Sequence, residues 1–216
     1  NHNFLNIIMT ENENTLDEVI VNKKKKTLQK SYFKTQNITN VSSDELLKAA
    51  CCNISESFET NPSIDVNYSN AITGVKQVKM LGLESPYLLI TEENIPMIRG
   101  ASQVYGLSFI PGTWVESMQI TKGSGSVVNG FESISGQINV ELKKPYSDTP
   151  FFINVYSNTM GRNEINLHAN KIINDKLSTG FYLHGNKNSN INDKNNDGFL
   201  DNPKSEAFNF FIIWQY

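Results

Sequence analysis

Apolar and polar residues alternate with a period of two through four successive segments after Pro145. Successive side chains of a strand point to opposite faces, so each segment predicts a β-strand with one apolar and one polar face. Turns near Gly161 and at Asn174–Lys176, and a longer polar stretch over 188–206, predict that the strands run up and down. An odd number of residues in the Asn174–Lys176 turn would keep the apolar residues on one face on both sides of it. The apolar set comprises Ile153, Val155, Ile165, Leu167, Ala169, Leu177, Thr179, Phe181, Leu183, Phe208, Phe210, Ile212, Trp214 and Tyr216.

A second strand pair is predicted upstream, on either side of a glycine-rich stretch. Residues 115–121 and 137–142 alternate as half-buried strands do, and Gly123 and Gly125 permit a sharp reversal of the backbone after the first of them. Gly130 and Gly136 divide the residues that follow. Together these features predict a strand, two turns and a returning strand.

The segment before these strands combines helical and extended patterns. Ser43 is a good N-cap for a helix that starts at Asp44, with acidic residues in its first turn. Further strands are predicted over 64–66, 75–82 and 87–91, so the segment reads as an α+β domain with a small mixed sheet and short helices. The predicted buried face of the helix comprises Leu46, Leu47, Ala50, Cys51, Ile54 and Phe58.

Composition restricts the class of protein. The chain has 216 residues, a net charge of −3 and 38% hydrophobic residues, so no basic excess indicates a nucleic-acid partner. No run of about eighteen apolar residues predicts a transmembrane helix, although membrane β-strands of about ten alternating residues leave the mean hydropathy low. The adjacent Cys51 and Cys52 are predicted to be unpaired, because a vicinal disulfide would distort the helix.

The first residues predict the end of another small domain. Residues 4–9 alternate as a strand would, and a polar linker follows them, so residues 1–14 are interpreted as the end of a preceding small β domain and its linker. The first residues also lack a signal peptide, and we expect that any export signal was removed upstream.

The order of motifs around the glycine-rich stretch resembles the end of the plug domain of TonB-dependent outer-membrane receptors. Ser124 and Asn129 depart from the family, which has Pro and usually Tyr at those places. The resemblance implies a plug domain over 27–145 and the first four strands of a transmembrane β-barrel over 146–216. Four strands cannot close a barrel of about 22 strands, so a fragment of a longer receptor is predicted. The matching residues are Val115, Glu116, Lys122, Gly123, Ser126, Gly130, Gly136, Ile138, Asn139 and Val140.

The resemblance gives a role to an apolar segment near the N-terminus. Residues 15–26 would be a TonB box with a basic tether, in which four lysines repel one another and keep the tether extended. A β-prone segment of this kind can add as a strand to the sheet of its partner, TonB. An ordinary edge strand is the alternative. The residues of the predicted box are Leu16, Asp17, Glu18, Val19, Ile20 and Val21.

The segment over 97–113 is the longest irregular stretch of the predicted plug. Loops of this length in compact domains are usually functional or mobile. In the family, apical plug loops touch the substrate, so the resemblance implies that Arg99, Gln103 and Tyr105 contact it. Simple packing against the barrel wall is the alternative for the same three residues.

One segment predicts a metal ion. Residues 193–201 fit a calcium loop, in which oxygen ligands alternate and a glycine at the sixth position allows the bend. Lys204 stands where such a loop has a bidentate glutamate, and Glu206 is a possible substitute. The calcium would be structural and would stiffen an extracellular loop over 188–206; an Asn/Asp-rich turn is the alternative. The predicted ligands are Asp193, Asn195, Asp197, Phe199 through its carbonyl, and Asp201.

No nucleophile–base set or phosphate loop is recognised, and His168 and His184 are interpreted as polar residues that line the lumen. The resemblance therefore implies a transporter in the outer membrane of a Gram-negative bacterium, with its N-terminus in the periplasm. It would bind TonB and import a scarce nutrient, for which we favour a metal chelate of the siderophore, haem or cobalamin type. Two alternatives stay open: an oligosaccharide importer of the same family, and a secreted calcium-dependent binding module whose apolar strand faces form a dry core.

Overall fold

The computed structural model describes most of the chain from residue 76 onwards and shorter segments before it. The described residues are 28–30, 37–48, 54–58, 64–68, 76–84, 86–97, 99–125, 127–191, 193–198, 200–201 and 204–216. The predicted preceding domain over 1–14, the TonB box at Leu16–Val21 with its tether, Cys51, Cys52 and Phe199 all lie outside these residues.

Twelve strands, three short α-helices and two 3₁₀ turns are described. The strands are β1 Leu28–Lys30, β2 Asn37–Ser42, β3 Asp65–Tyr68, β4 Lys76–Lys79, β5 Leu88–Glu92, β6 Ile95–Pro96, β7 Val115–Lys122, β8 Gly136–Leu142, β9 Phe151–Ser157, β10 Arg162–Asn174, β11 Leu177–Asn188 and β12 Ser205–Gln215. The helices are α1 Ser43–Lys48, α2 Ile54–Ser57 and α3 Gln103–Gly106, and the 3₁₀ turns are Gly100–Ser102 and Gly112–Trp114.

The first domain is built on a mixed sheet of six strands in the order β1-β2-β7-β8-β5-β6. Only the β5–β8 pair is parallel, and the predicted strands at 115–121 and 137–142 are confirmed as β7 and β8. Met118 lies opposite Val140 and Ile120 opposite Ile138 on the apolar face, and all four side chains are fully buried. One face of the sheet therefore forms the core of this domain.

The predicted helix from Asp44 to Phe58 is described in two parts, α1 and α2. Leu46, Ile54 and Phe58 are buried in the core as the helical spacing predicted. Helix α1 begins at Ser43, so the predicted N-cap residue is the first residue of the helix.

The prediction that the segment over 97–113 is irregular is wrong in part. It contains the two 3₁₀ turns and α3, and much of it is buried, including Leu107 and Ile110. Apolar side chains at these positions draw the segment onto the core instead of leaving it as an open loop.

The second part of the chain is a four-stranded antiparallel sheet in the order β12-β11-β10-β9, as predicted. The turn between β10 and β11 is shorter than predicted, because Asn174 pairs directly with Leu177. A bulge between Ile172 and Asn174 supplies the odd residue instead, so Leu167 still pairs with Leu183 and the apolar side chains keep to one face.

The two faces of this sheet differ sharply. On the apolar face, Val155 is 69% exposed, Phe210 61% and Trp214 66%, whereas Asn166 and His168 on the opposite face are fully buried. Within the described part of the chain, the apolar faces of residues 151–216 are therefore exposed and do not form a dry core. Among the described residues, no helix has the length and apolar character that are needed to cross a membrane.

Candidate functional site

The first domain packs against the polar face of the four-stranded sheet through Trp114. This side chain is 7% exposed, and its ring lies edge-on to Tyr182 at 6.3 Å and is stacked on Phe211 at 5.9 Å between centroids. Tyr182 belongs to the same buried cluster as the core of the first domain. The core thus continues across the contact between the two sheets.

Polar side chains surround this aromatic contact. Thr113 Oγ1 donates to Asn166 Oδ1 at 3.0 Å, and His184 Nδ1 lies 2.7 Å from the same oxygen. Asn166 in turn donates to Glu164 Oε1 at 2.9 Å. The predicted inward positions of His168 and His184 are confirmed, but both rings are buried under the first domain and do not line open space.

The linker between the domains is fixed at Asp148. Its carboxylate lies 3.4 Å from Lys143 Nζ and 3.4 Å from His168 Nδ1, and it accepts a hydrogen bond from Asn170 Nδ2 at 3.0 Å. Burial alone would raise the pKa of the Asp148 carboxyl, but the Lys143 charge and these hydrogen bonds hold it below its ordinary value. This carboxylate therefore stays ionised and ties the linker to strand β10.

The glycine-rich stretch lies at the end of the mixed sheet that is remote from the linker. The Tyr87 carbonyl accepts hydrogen bonds from the N–H groups of Ile134 and Ser135, each at 3.0 Å, which joins this loop to the turn before β5. At Gly136 a Cβ atom would lie 2.0 Å from Met80 Sδ and 2.7 Å from a backbone oxygen, so only glycine allows this close approach.

Arg99 connects the 97–113 segment to this loop. Its Nε lies 3.0 Å from Glu132 Oε1, and its Nη2 donates to the Asn129 carbonyl at 3.3 Å. Glu132 is buried, whereas the Arg99 side chain is 47% exposed. The guanidinium is thus held on one side and open to solvent on the other.

The other two predicted substrate contacts, Tyr105 and Gln103, differ in their exposure to solvent. Tyr105 is 39% exposed, but Gln103 is only 3% exposed and its amide donates to the Leu88 carbonyl. The Gln103 side chain therefore packs inside the domain, and its contact with the substrate stays a prediction. A buried amide needs an internal partner, and its sequence neighbours do not reveal one.

Exposed apolar side chains surround the glycine-rich stretch. These side chains were not among the predicted site residues. Val128 is 91% exposed and Phe131 78%, and Tyr87, whose carbonyl bonds to this stretch, is 46% exposed. The two apolar residues Val127 and Val128, which stand between Ser126 and Asn129 in a glycine-rich segment, were the available signal. This end of the domain presents an aromatic and apolar surface around Arg99.

The predicted calcium loop folds around Asp193. Its carboxylate accepts from the N–H groups of Asp197 at 3.2 Å and Gly198 at 3.0 Å, and Asp201 Oδ2 accepts from the Lys194 N–H at 3.0 Å. Across the described part of the chain, no three His, Cys, Asp or Glu side chains are grouped closely enough to hold a metal ion. Calcium binding stays a prediction.

Together the fold and these contacts define a class of protein. A mixed-sheet domain fills the polar side of an antiparallel sheet whose other side is apolar and exposed, which is the arrangement of a plugged membrane β-barrel. Residues 31–137 match the family model described as the TonB-dependent Receptor Plug Domain. The chain belongs to the TonB-dependent receptors, as a plug domain followed by strands of a partial barrel.

Solved receptors share this fold at low sequence identity. The chain aligns with the copper transporter OprC at a TM-score of 0.66 and 15% identity over 87% of this chain and 28% of that chain. It aligns with P. aeruginosa FpvA bound to pyoverdines at 0.61 and 16%, over 74% and 21% of the two chains. For the ferric-catecholate import receptor Fiu from E. coli K12 the values are 0.58 and 18%, over 75% and 23%. No curated protein matches the chain.

The chain therefore spans about a quarter of the length of these solved receptors. Plug-domain receptors of this family are transporters of the Gram-negative outer membrane and not enzymes. The match to the family model falls inside the predicted 27–145 plug, whose outer boundaries stay predictions.

Proposed function

We propose that the full-length protein is a TonB-dependent importer that carries a metal chelate of the siderophore, haem or cobalamin type across the outer membrane. The observation that carries the proposal is the buried contact of Trp114 with Tyr182 and Phe211, which seats a plug domain on the inner face of a sheet with an apolar outer face. Import needs a plug that closes the barrel and an energised partner that moves it. In this proposal the partner is TonB, which binds the box at Leu16–Val21 from the periplasm.

The ligand would bind at the end of the plug around Arg99 and Tyr105. Strands β5 and β8 are parallel, and β8 leads into the linker, so the glycine-rich stretch lies at the opposite end of the plug from the first barrel strand. If that strand rises from the periplasm, this end faces the outside. An exposed guanidinium among aromatic side chains suits an anionic chelate with aromatic groups.

Metal accumulation tests this function and its substrate class. Cells that express the full-length protein are expected to accumulate radioactive iron or cobalt from supplied chelates, and accumulation should stop when the proton gradient is collapsed. Accumulation of a labelled oligosaccharide in place of any metal would instead support a glycan importer. Accumulation that survives loss of the gradient would contradict energised import.

The calcium prediction has its own test. Removing two ligands in the double variant Asp193→Ala, Asp197→Ala should abolish a calcium-dependent rise in melting temperature, because carboxylate oxygens supply most of the charge of such a site. The measurement is thermal unfolding with calcium and with a chelator. Asp175→Ala, which removes an exposed carboxylate in the β10–β11 turn outside this loop, is the control; a parent protein that shows no rise with calcium would refute the site.

A further inference from the structure

The turn between β5 and β6 has a backbone conformation that the first of its two residues, Glu93, does not favour. Glu93 has φ of 51° and Asn94 has φ of 63°, and strand pairing closes on either side with Glu92 opposite Ile95. Two successive residues with positive φ form the tight hairpin turn that Asn-Gly or Asp-Gly usually occupies. Asparagine tolerates this region, but glutamate does not favour it, so contacts elsewhere must hold Glu93 there.

Those contacts come from the second half of β8 and from the linker that follows it. The Glu93 N–H donates to the Val140 carbonyl at 2.9 Å, and its carboxylate accepts from the Leu142 N–H at 2.9 Å and from Lys144 Nζ. The Asn94 N–H donates to Asn139 Oδ1 at 2.8 Å. The turn is therefore fastened to the last residues of the plug sheet and to the first residues of the linker.

Asn139, which accepts the hydrogen bond from Asn94, uses both ends of its side-chain amide in hydrogen bonds. Asn139 is 3% exposed, its Oδ1 also accepts from Thr91 Oγ1 at 2.7 Å, and its Nδ2 donates to Glu141 Oε1 at 2.7 Å. An amide with both ends bonded in a buried position has a single orientation. The fixed amide of Asn139 therefore also fixes the position of the Asn94 N–H group.

The same hydrogen-bonded path continues into the barrel sheet. The Lys143 N–H donates to the Trp114 carbonyl at 2.9 Å, and its ammonium pairs with Asp148 at 3.4 Å. Asp148 then contacts His168 and Asn170 on β10. Two carboxylates, Glu93 and Asp148, thus stand at the two ends of the linker.

The charges around the first carboxylate favour its ionised form. Glu92, Glu93 and Glu141 all face Lys144 at this end of the plug. Burial alone would raise the pKa of Glu93, but the hydrogen bonds that it accepts, first from Lys144, hold it below its ordinary value. Burial and the Glu93 charge raise the pKa of Glu141, so Glu141 takes up a proton before Glu93 does.

We propose that Glu93 and Asp148 act together to hold the β5–β6 hairpin and the linker against the barrel sheet. We call these two carboxylates and the groups that they bind the linker clamp. The clamp makes residues 88–96 and 136–150 a fixed base of the plug. If the plug rearranges during transport, as the proposed function requires, these residues are expected to stay in place. The clamp is a property of the fold and does not depend on which ligand the protein carries.

Hydrogen exchange on the full-length protein in detergent tests the clamp without a ligand. In Glu93→Gln, loss of the charge-assisted bonds should raise amide exchange by about tenfold in 88–96 and 139–150, and also around Asn170 on β10. Glu84→Gln is the matched control, because Glu84 pairs with Lys79 on β4 away from the linker. Its effect should stay within 76–84.

The variant Glu93→Gly distinguishes the loss of the bonds between hairpin and linker from the effect of the positive φ at position 93. Glycine adopts positive φ freely, so the hairpin amides should stay as protected as in the parent protein, while the linker amides over 143–150 exchange faster because the carboxylate is gone. This variant also serves where Glu93→Gln fails to fold. Faster exchange confined to 93–96 in Glu93→Gln, or parental exchange of the linker in Glu93→Gly, would overturn the proposal.

Discussion

Replacing Trp114 by alanine is expected to lower the free energy of unfolding by about 3–5 kcal/mol, as is typical for a large buried aromatic residue. The ring is buried between Tyr182 and Phe211, so its removal leaves a cavity where the plug meets the barrel sheet. The plug cannot collapse into this cavity without breaking the Thr113–Asn166 hydrogen bond beside it. Chemical unfolding of the full-length protein in detergent, followed by circular dichroism, measures the loss.

Trp214 is the matched control, because it is the other tryptophan of these 216 residues. It is 66% exposed on the apolar face, so Trp214→Ala should change the free energy of unfolding by no more than about 0.5 kcal/mol in detergent. Fluorescence in brominated lipid adds a second measurement. Quenching should be smaller in Trp214→Phe than in the parent protein, because the lipid-facing ring is gone, and it should not be smaller in Trp114→Phe. Equal quenching in the two variants would contradict the assignment of the two sheet faces.

The strands that follow Pro145 could be predicted from sequence because each has one apolar and one polar face. Leu167 and Leu183 were assigned to the same face, and the register pairs them directly. The turn between their strands was predicted with the right parity for the wrong reason. A bulge at Ile172–Asn174 supplies the extra residue, and period-two patterns do not distinguish a bulge from a longer turn.

Features that depend on distant partners could not be predicted in this way. Gln103 was predicted to contact the substrate because it lies in the segment over 97–113 of the plug-like domain, yet its amide bonds to the carbonyl of Leu88, fifteen positions away. The linker clamp is a similar case, since Glu93 meets Leu142 and Lys144 only after β5 and β8 have paired. Local pattern determines which face a side chain occupies, but the partner of a buried polar group is fixed by topology.

Deleting Leu16–Val21 is expected to abolish uptake and to leave ligand binding at the surface of the cell unchanged. In the proposed mechanism this segment adds as a strand to TonB through main-chain hydrogen bonds and transmits the force that rearranges the plug. The ligand contacts proposed at Arg99 and Tyr105 are separate from it in sequence and belong to the folded plug. The measurement compares energised accumulation with binding at low temperature, using the chelate that the parent protein accumulates.

A pair of single substitutions makes the same test without shortening the chain. Val19→Pro removes one main-chain donor and should reduce uptake as the deletion does, because proline cannot complete a strand ladder. Val19→Thr keeps a β-branched side chain and the N–H group, so uptake should stay close to that of the parent. Loss of binding together with uptake in Val19→Pro would mean that the segment supports the fold and not the partner. Equal uptake by both variants would mean that strand addition at Val19 does not carry the force.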